Sequence, residues 1–343
     1  MFSRRYKLTL PIFYRDHGDF KYLNKEFLKV WGEVPNVLSN ITFETEIGLA
    51  TLNIDWEDNY ISKIKGKLIN FYTIEDYFNG IVPEEYIREI GEHEHIELSC
   101  QINIENYELD LMNERGKRIL FYYIENIFMQ IFLAMNLSTP GSFSAFSYEL
   151  KSKGDLDIYS FSSSDFESAW IDSIKEGWPL IERIELNKTW NWIKGLNLGY
   201  RQIAENCIER ALFSILTICK GTSINPNQLI WNAIALEALY GTPKSQITRL
   251  LVDRVSRFLG LPENGRGCFK KKIRDFYDLR SRFVHGELDL THPLGNNVLD
   301  PRIFDNDGFV LKNAGFGFCI VIATLQKMIK NHWKTLKLKE KNK

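Results

Sequence analysis

The apolar positions follow two different periods along the chain. In the first part, apolar and polar residues alternate from Ile41 to Leu49 and from Ile96 to Ile104. A period of two is typical of strands with one buried face. One segment near 117–135 is apolar over a longer stretch and predicts a helix. From residue 200 onward the apolar residues recur every three or four positions, which predicts helices.

The second part contains five predicted helices. Their approximate bounds are 203–218, 226–240, 244–259, 267–285 and 315–336. Gly241 and Gly260 follow two of them at the position where a helix C-terminus favours a residue of positive φ. We therefore predict an α+β protein, with a β-rich N-terminal domain over 1–161 and an all-α helical bundle over 200–340.

A connecting segment, residues 162–199, is predicted between the two domains. It begins with polar residues and then carries four tryptophans, Trp170, Trp178, Trp190 and Trp192. Large aromatic side chains favour packed helices over a flexible linker.

Composition is that of a soluble globular protein, with 44% hydrophobic and 25% charged residues. No uninterrupted apolar run reaches the roughly 18 residues of a membrane span, and the N-terminus does not resemble a signal peptide. The five cysteines are scattered, without a Cys-x-x-Cys pair. We therefore expect a cytoplasmic protein without a membrane partner, a structural zinc ion or another cofactor.

Charge is distributed unevenly although the net charge is only -1. Residues 201–343 carry 23 Lys and Arg against 13 Asp and Glu, so the remaining 200 residues have the opposite balance. A basic second half suits a polyanionic partner, but two halves of opposite charge also attract each other.

The predicted helix 267–285 carries an arginine in an unusual place. Arg280 lies on the apolar side of this helix, between Tyr277 and Val284 at about 100° per residue. A guanidinium there requires a partner or a function, because burying an unpaired charge is costly. His285, a residue type suited to proton transfer near neutral pH, follows five residues later, and Gly286 favours the helix end.

Three segments together resemble the Apea-like branch of the HEPN domain family. They are Leu236–Gly241 (Leu-Glu-Ala-Leu-Tyr-Gly), Arg249–Gly260 with Arg254, and Tyr277–Gly286 with the Arg-x4-His-Gly motif. The resemblance covers about residues 200–340 and implies a helical bundle that usually forms a homodimer. In the catalytic members the motif cleaves RNA without a metal ion, which implies Arg280 and His285 as the catalytic pair.

The resemblance also suggests supporting residues and a biological role. Glu237, Ser281, Arg254 and Arg282 are the supporting candidates; in many HEPN nucleases the position of Ser281 holds Asn, Asp or His. Members of the family are linked to toxin-like and phage-defence roles. The extra N-terminal domain is then expected to sense a trigger molecule or protein.

The spacing of the pair has a consequence for assembly. Residues five apart differ by about 140° around a regular helix, so Arg280 and His285 do not meet on one phosphate. Either the helix loosens near Val284–Gly286, or two chains combine their pairs at a dimer interface. The alternative is structural: Arg280 pairs with Glu237, and His285 favours the helix dipole. In that case the protein is a non-catalytic interaction module.

Other polar clusters give weaker predictions. Glu92-His93-Glu94-His95 has two histidines on one face of a strand, but a solvated strand start explains it as well as a metal site. Asp305-Asn306-Asp307-Gly308 predicts a turn, since the other ligands of a calcium loop are missing. The sequence contains no P-loop, Gly-x-Gly-x-x-Gly or Gly-x-Ser-x-Gly motif.

Overall fold

The computed structural model describes residues 2–11, 21–56, 95–104, 113–144, 161–220, 225–241, 247–261, 265–292, 295–296 and 298–336. The chain divides into two compact units. Unit 1 comprises Met1–Ser162 and Glu185–Tyr200, and unit 2 comprises Ser163–Ile184 and Arg201–Lys343.

Four strands and nine helices lie within the described ranges. The strands are β1 (Phe2–Pro11), β2 (Asn40–Thr45), β3 (Gly48–Trp56) and β4 (His95–Ile104). The helices are α1 (Lys21–Leu38), α2 (Glu114–Ser138), α3 (Ser164–Glu176), α4 (Leu186–Gly195), α5 (Cys207–Cys219), α6 (Asn227–Tyr240), α7 (Ile247–Leu259), α8 (Arg266–Val284) and α9 (Arg302–Lys330). The described residues are mostly helical, and their mixture of elements fits the predicted α+β class.

The strands of unit 1 form one antiparallel sheet in the order β1-β4-β3-β2. Ile41, Leu52 and Ile102 lie side by side across three strands and are all buried. The alternation from Ile41 to Leu49 therefore predicts strand structure correctly but hides a hairpin turn. The chain reverses after Thr45, whose Oγ1 donates to the Gly48 carbonyl over 2.6 Å.

Unit 1 contains more helix than the β-rich prediction anticipated. The predicted helix near 117–135 is confirmed as α2 and is capped by Asn113, whose side chain accepts a hydrogen bond from the Gly116 N–H. Helix α1 was not predicted. Its buried stripe recurs every three or four residues: Leu23, Phe27, Val30, Trp31, Val34 and Leu38.

The helices of unit 2 follow the predicted positions with two changes. The first, α5, begins at Cys207, and Ile203 before it is 81% exposed. The last, α9, runs from Arg302 to Lys330 rather than from about 315 to 336. The predicted turn at Asp305–Gly308 is therefore wrong, since these residues are helical. Pro301 at the N-cap and Asp305 in the first turn are helix-start signals that outweigh the local turn propensity.

Helix α9 is the centre of unit 2, because it packs against α3, α6, α8 and α7. Gly317 of α9 allows this helix to approach α8 and α6 closely. A Cβ added at Gly317 would lie 2.9 Å from Phe276 Cε2 of α8 and 3.2 Å from Asn232 Cβ of α6. Asn232 Nδ2 also donates to the Ala314 carbonyl over 3.0 Å. These contacts place α8 beside α6, where the candidate site lies.

The predicted connecting segment 162–199 does not form a unit of its own. Its first part, Ser163–Ile184 with α3, belongs to unit 2, and its second part, Glu185–Tyr200 with α4, belongs to unit 1. The tryptophans are packed, as expected: Trp170, Trp190 and Trp192 are buried, and Trp178 stacks edge-on against Phe269.

Among the described residues, two helices are long and apolar enough to cross a membrane, Arg115–Ser138 and Arg302–Lys330. Their most apolar windows are 78% and 67% buried inside the protein. Such burial is typical of core helices and is consistent with a soluble protein.

Candidate functional site

The site lies at the C-terminal end of α8. The inner face of α8 consists of buried apolar residues: Phe269, Ile273, Phe276 and Leu279. The helix ends after Val284, and Gly286 adopts a left-handed conformation with φ of 75°. The Glu287 N–H then donates to the Arg282 carbonyl over 2.8 Å, which closes the last turn. The predicted end of the helix is therefore confirmed.

Arg280 is half-buried on α8, and its side chain is not fully satisfied. Its Nε atom is buried and has no hydrogen-bond partner in the described part of the chain. Tyr277 lies one turn earlier on the same helix, and its Oη atom is also buried and makes no hydrogen bond within 3.5 Å in the described structure. Most buried polar atoms in folded proteins are hydrogen-bonded, so two adjacent unsatisfied atoms suggest a site that is completed by a ligand or another chain.

Glu237 of α6 lies close to these two residues. Burial raises the pKa of Tyr277 most, the negative charge of Glu237 and a long hydrogen-bond interaction with its carboxylate raise it further, and the positive charge of Arg280 acts in the opposite direction. Three polar side chains from α6 and α8 therefore share one half-buried environment. We call Glu237, Tyr277 and Arg280 the polar triad.

The ion pair between Glu237 and Arg280, which the structural alternative predicts, is not found. No salt bridge within 4.0 Å joins their side chains among the residues that the structure describes. Glu237 influences the site through its charge on Tyr277 and does not lock Arg280 in place.

His285 occupies the C-cap of α8 and is exposed. Its backbone N–H donates to the Ser281 carbonyl over 3.0 Å. Within the described ranges, no hydrogen bond connects the His285 side chain with Arg280. Helix α8 ends where loosening was expected, near Val284–Gly286. Even so, the side chains of Arg280 and His285 make no hydrogen bond to each other in the described chain.

The other supporting candidates have separate positions. Ser281 is half-buried and Arg282 is exposed, with Arg282 Nη2 donating to the Glu287 carbonyl over 3.4 Å. Arg254 Nη1 donates to the Tyr240 and Gly241 carbonyls over 2.5 and 2.6 Å. Arg254 therefore caps the C-terminus of α6, a structural role.

Tyr277 is the site residue that sequence reasoning missed. The sequence pattern places Tyr277 on the apolar side of α8. The available signal was its spacing of three residues from Arg280, which places both polar groups on one helix face.

Metal ligands are not clustered near this site. No group of three or more His, Cys, Asp or Glu residues suited to a metal ion occurs in the described part of the chain. The candidate residues Glu92, His93 and Glu94 lie outside the described residues.

Comparisons with protein-family models, with curated proteins and with solved structures find no match for this chain.

Proposed function

We propose that this protein is a metal-independent endoribonuclease of HEPN type, in which Arg280 and His285 act together at a homodimer interface. The polar triad is the observation that carries the proposal. Arg280 is half-buried, and its buried Nε donor has no hydrogen-bond partner in the described structure; Tyr277 Oη beside it is buried as well. A guanidinium suits a phosphate group, which accepts hydrogen bonds and carries the opposite charge.

The chemistry requires one proton acceptor and one proton donor. A base removes the proton of the ribose 2′-OH, the 2′-oxygen bonds to phosphorus, and the bond to the 5′-oxygen breaks as that oxygen receives a proton. The products are a 2′,3′-cyclic phosphate and a 5′-OH. Histidine exchanges protons near neutral pH, and His285 is exposed, so RNA can reach it. Arg280 stabilises the charge that develops on the phosphate oxygens.

A second copy of the chain supplies the second histidine that the reaction requires. With two His285 residues at one interface, one acts as the base and the other as the acid. The end of α8, the segment after it and the start of α9 carry exposed apolar residues, which we call the apolar patch: Val284, Leu290, Val298, Leu299, Phe304 and Phe309. Hydrogen bonds from Asn306 to the Asp289 carbonyl and from Thr291 to Asp307 hold the segment around Leu290 against the start of α9. An exposed apolar surface of this kind favours association with another protein chain.

The role of unit 1 follows from the same proposal. Unit 1 senses a trigger molecule or protein and controls the nuclease, which acts in the cytoplasm as a toxin or phage-defence effector. Its acidic composition, opposite to that of residues 201–343, fits a part that does not itself bind RNA.

One observation favours a second function, a non-catalytic interaction module. Within one chain, His285 is at the helix end and has no hydrogen bond to Arg280 in the described structure. In this alternative the apolar patch binds a partner, unit 1 binds a ligand or protein, and the polar triad performs no chemistry.

Cleavage of total RNA in excess EDTA distinguishes the two. We expect cleavage by the wild type and its loss in Arg280→Ala, Arg280→Met and His285→Ala, with thermal unfolding midpoints close to that of the wild type. Methionine preserves the apolar stem of Arg280 and removes only the charge. Equal behaviour of all variants contradicts the nuclease, and a large fall in the midpoint of Arg280→Met indicates a structural role.

A further inference from the structure

We propose that the exposed face of α8 is a binding track for single-stranded RNA that leads to His285. Four cationic side chains on this helix are exposed or lie at its outer surface: Lys270, Lys271, Arg274 and Arg282. At about 100° per residue, all four fall within about 60° on either side of the His285 position. We call these four residues the cationic track. This inference rests on the proposed nuclease, because it describes how RNA reaches the reactive end of the helix.

The cationic track faces outward because the opposite face of α8 is buried. Phe269, Ile273, Phe276 and Leu279 are buried against the rest of unit 2. Arg280 belongs to that inner side, about 140° from His285. The cationic track and the polar triad are thus different surfaces of one helix, and His285 terminates the outer one.

The cations of α8 differ in whether they form ion pairs. Lys272 Nζ lies 2.9 Å from Glu176 Oε2, and Arg266 pairs with Asp253 over 3.8 Å. By contrast, no salt bridge within 4.0 Å involves Lys270, Lys271, Arg274 or Arg282 among the described residues. Arg282 makes only the 3.4 Å contact to a backbone carbonyl.

Two acidic side chains lie on or beside the track. Half-buried Asp275 flanks it about 20° beyond Arg282. Asp278 is exposed on the same face, between Arg274 and Arg282. The balance of the face is still positive, which suits a polyanion.

The length of the track sets the size of the ligand. Lys270 and His285 are 15 residues apart, so about 22 Å separates them along the axis. At the rise of a duplex strand, about 3.4 Å per nucleotide, this length holds about six nucleotides, so a more extended single strand places six or fewer on the track. Within α8, no Phe, Tyr or Trp lies on this face, so the row of cations offers bases no large ring to stack on. Binding is therefore electrostatic and depends little on sequence. A single strand is favoured because a flexible chain can follow one row of cations and present a 2′-OH at its end.

Binding is tested separately from cleavage with a labelled single-stranded DNA oligonucleotide of twelve nucleotides, which lacks the 2′-OH that cleavage requires. Its affinity for the full-length protein is measured at several salt concentrations. The variant is Lys270→Gln/Lys271→Gln/Arg274→Gln. The control is Lys194→Gln/Arg210→Gln/Lys312→Gln, which removes three exposed cations elsewhere.

We expect the track variant to bind at least tenfold more weakly. The slope of log affinity against log salt should fall by about 2, since each phosphate contact to a single strand contributes about 0.7. The control should bind like the wild type. If the track variant and the control have the same slope, or if duplex RNA competes better than single-stranded RNA, the track is contradicted.

The binding experiment, combined with the cleavage assay, separates the cationic track from the proposed nuclease. Wild-type binding that depends on the track, without any RNA cleavage, supports the track and contradicts the nuclease. Cleavage with unchanged binding by the track variant supports the nuclease and contradicts the track.

Discussion

Tyr277 and Arg280 lie one turn apart on α8, and each holds a buried polar atom that has no hydrogen-bond partner in the described structure. Glu237 is close enough to raise the pKa of Tyr277, yet it forms no ion pair with Arg280 among the described residues. A purely structural arginine would be expected to gain such a pair, because an unsatisfied buried group is costly. The polar triad is therefore better suited to binding a ligand than to stabilising the fold.

Tyr277→Phe tests whether the tyrosine hydroxyl is unsatisfied. Removing a buried group without a partner should raise the free energy of unfolding, by about 1 kcal/mol. Urea denaturation measures this change. Tyr240→Phe is the matched control, because Tyr240 Oη lies 2.7 Å from Thr324 Oγ1 and is hydrogen-bonded. That control should lose about 1 kcal/mol. Equal destabilisation in both variants would show that Tyr277 Oη is satisfied in solution.

Arg254→Ala tests the assignment of Arg254 to the fold. The substitution removes two hydrogen bonds to the carbonyls of Tyr240 and Gly241 at the end of α6. The free energy of unfolding should fall by about 2 kcal/mol, because both bonds involve a charged donor. Arg210→Ala, at an exposed position of α5, should change it little. An Arg254→Ala protein of wild-type stability that no longer binds RNA would instead assign Arg254 to the RNA site.

Asp165→Asn should change how stability depends on pH. Burial raises the pKa of Asp165 to about 6, and a hydrogen bond from Gln228 lowers it only in part. The folded protein therefore binds this proton more tightly than the unfolded chain, and the contribution of Asp165 to stability falls as pH rises from about 4 to 6. Above that window, Asp165→Asn should be more stable than the wild type by about 1 kcal/mol, after allowance for solvent screening.

The quantity to measure is the difference in the free energy of unfolding between Asp165→Asn and the wild type as a function of pH. Urea denaturation of both proteins at pH 4, 5, 6 and 7 should show the stability gain of Asp165→Asn growing with pH. A difference that is constant over this range would contradict the raised pKa.

Leu290→Glu tests the homodimer. A carboxylate in the apolar patch should weaken the association of two chains, because a charge would be buried without a partner. Leu180→Glu is the matched control, since both leucines are 66% exposed. Light scattering after size-exclusion chromatography should show a dimer for the wild type and Leu180→Glu, and a monomer of low nuclease activity for Leu290→Glu. A strictly monomeric wild type with full activity would contradict the composite site.

The sequence predicts the helical half of the chain better than the first half. Gly241 ends α6 and Gly286 ends α8 as expected, because a left-handed residue is a local requirement that glycine meets. Helix α1 was missed although its apolar stripe is visible in the sequence. Pro35 lies in its last turn, where proline lacks the backbone N–H and crowds the carbonyl four residues earlier, so the local sequence disfavours the helix that the stripe indicates.

Other features depend on contacts that spacing does not encode. The alternation from Ile41 to Leu49 continues through the turn after Thr45, so the pattern alone does not separate β2 from β3. The spacing of Arg280 and His285 gives their angle on the helix but not their partners. Whether Glu237 pairs with Arg280 depends on how α6 and α8 pack, which the sequence does not determine.

The central claim is most directly tested by the rate at which His285→Ala cleaves RNA in excess EDTA, compared with the wild type and with His292→Ala. His292 is another exposed histidine of unit 2 and serves as the matched control. We predict that His285→Ala is slower by a factor of about 100 or more, that His292→Ala cleaves like the wild type, and that every product carries a 5′-OH. Cleavage by His285→Ala at the wild-type rate, or no cleavage of total RNA by the wild type, would contradict the claim.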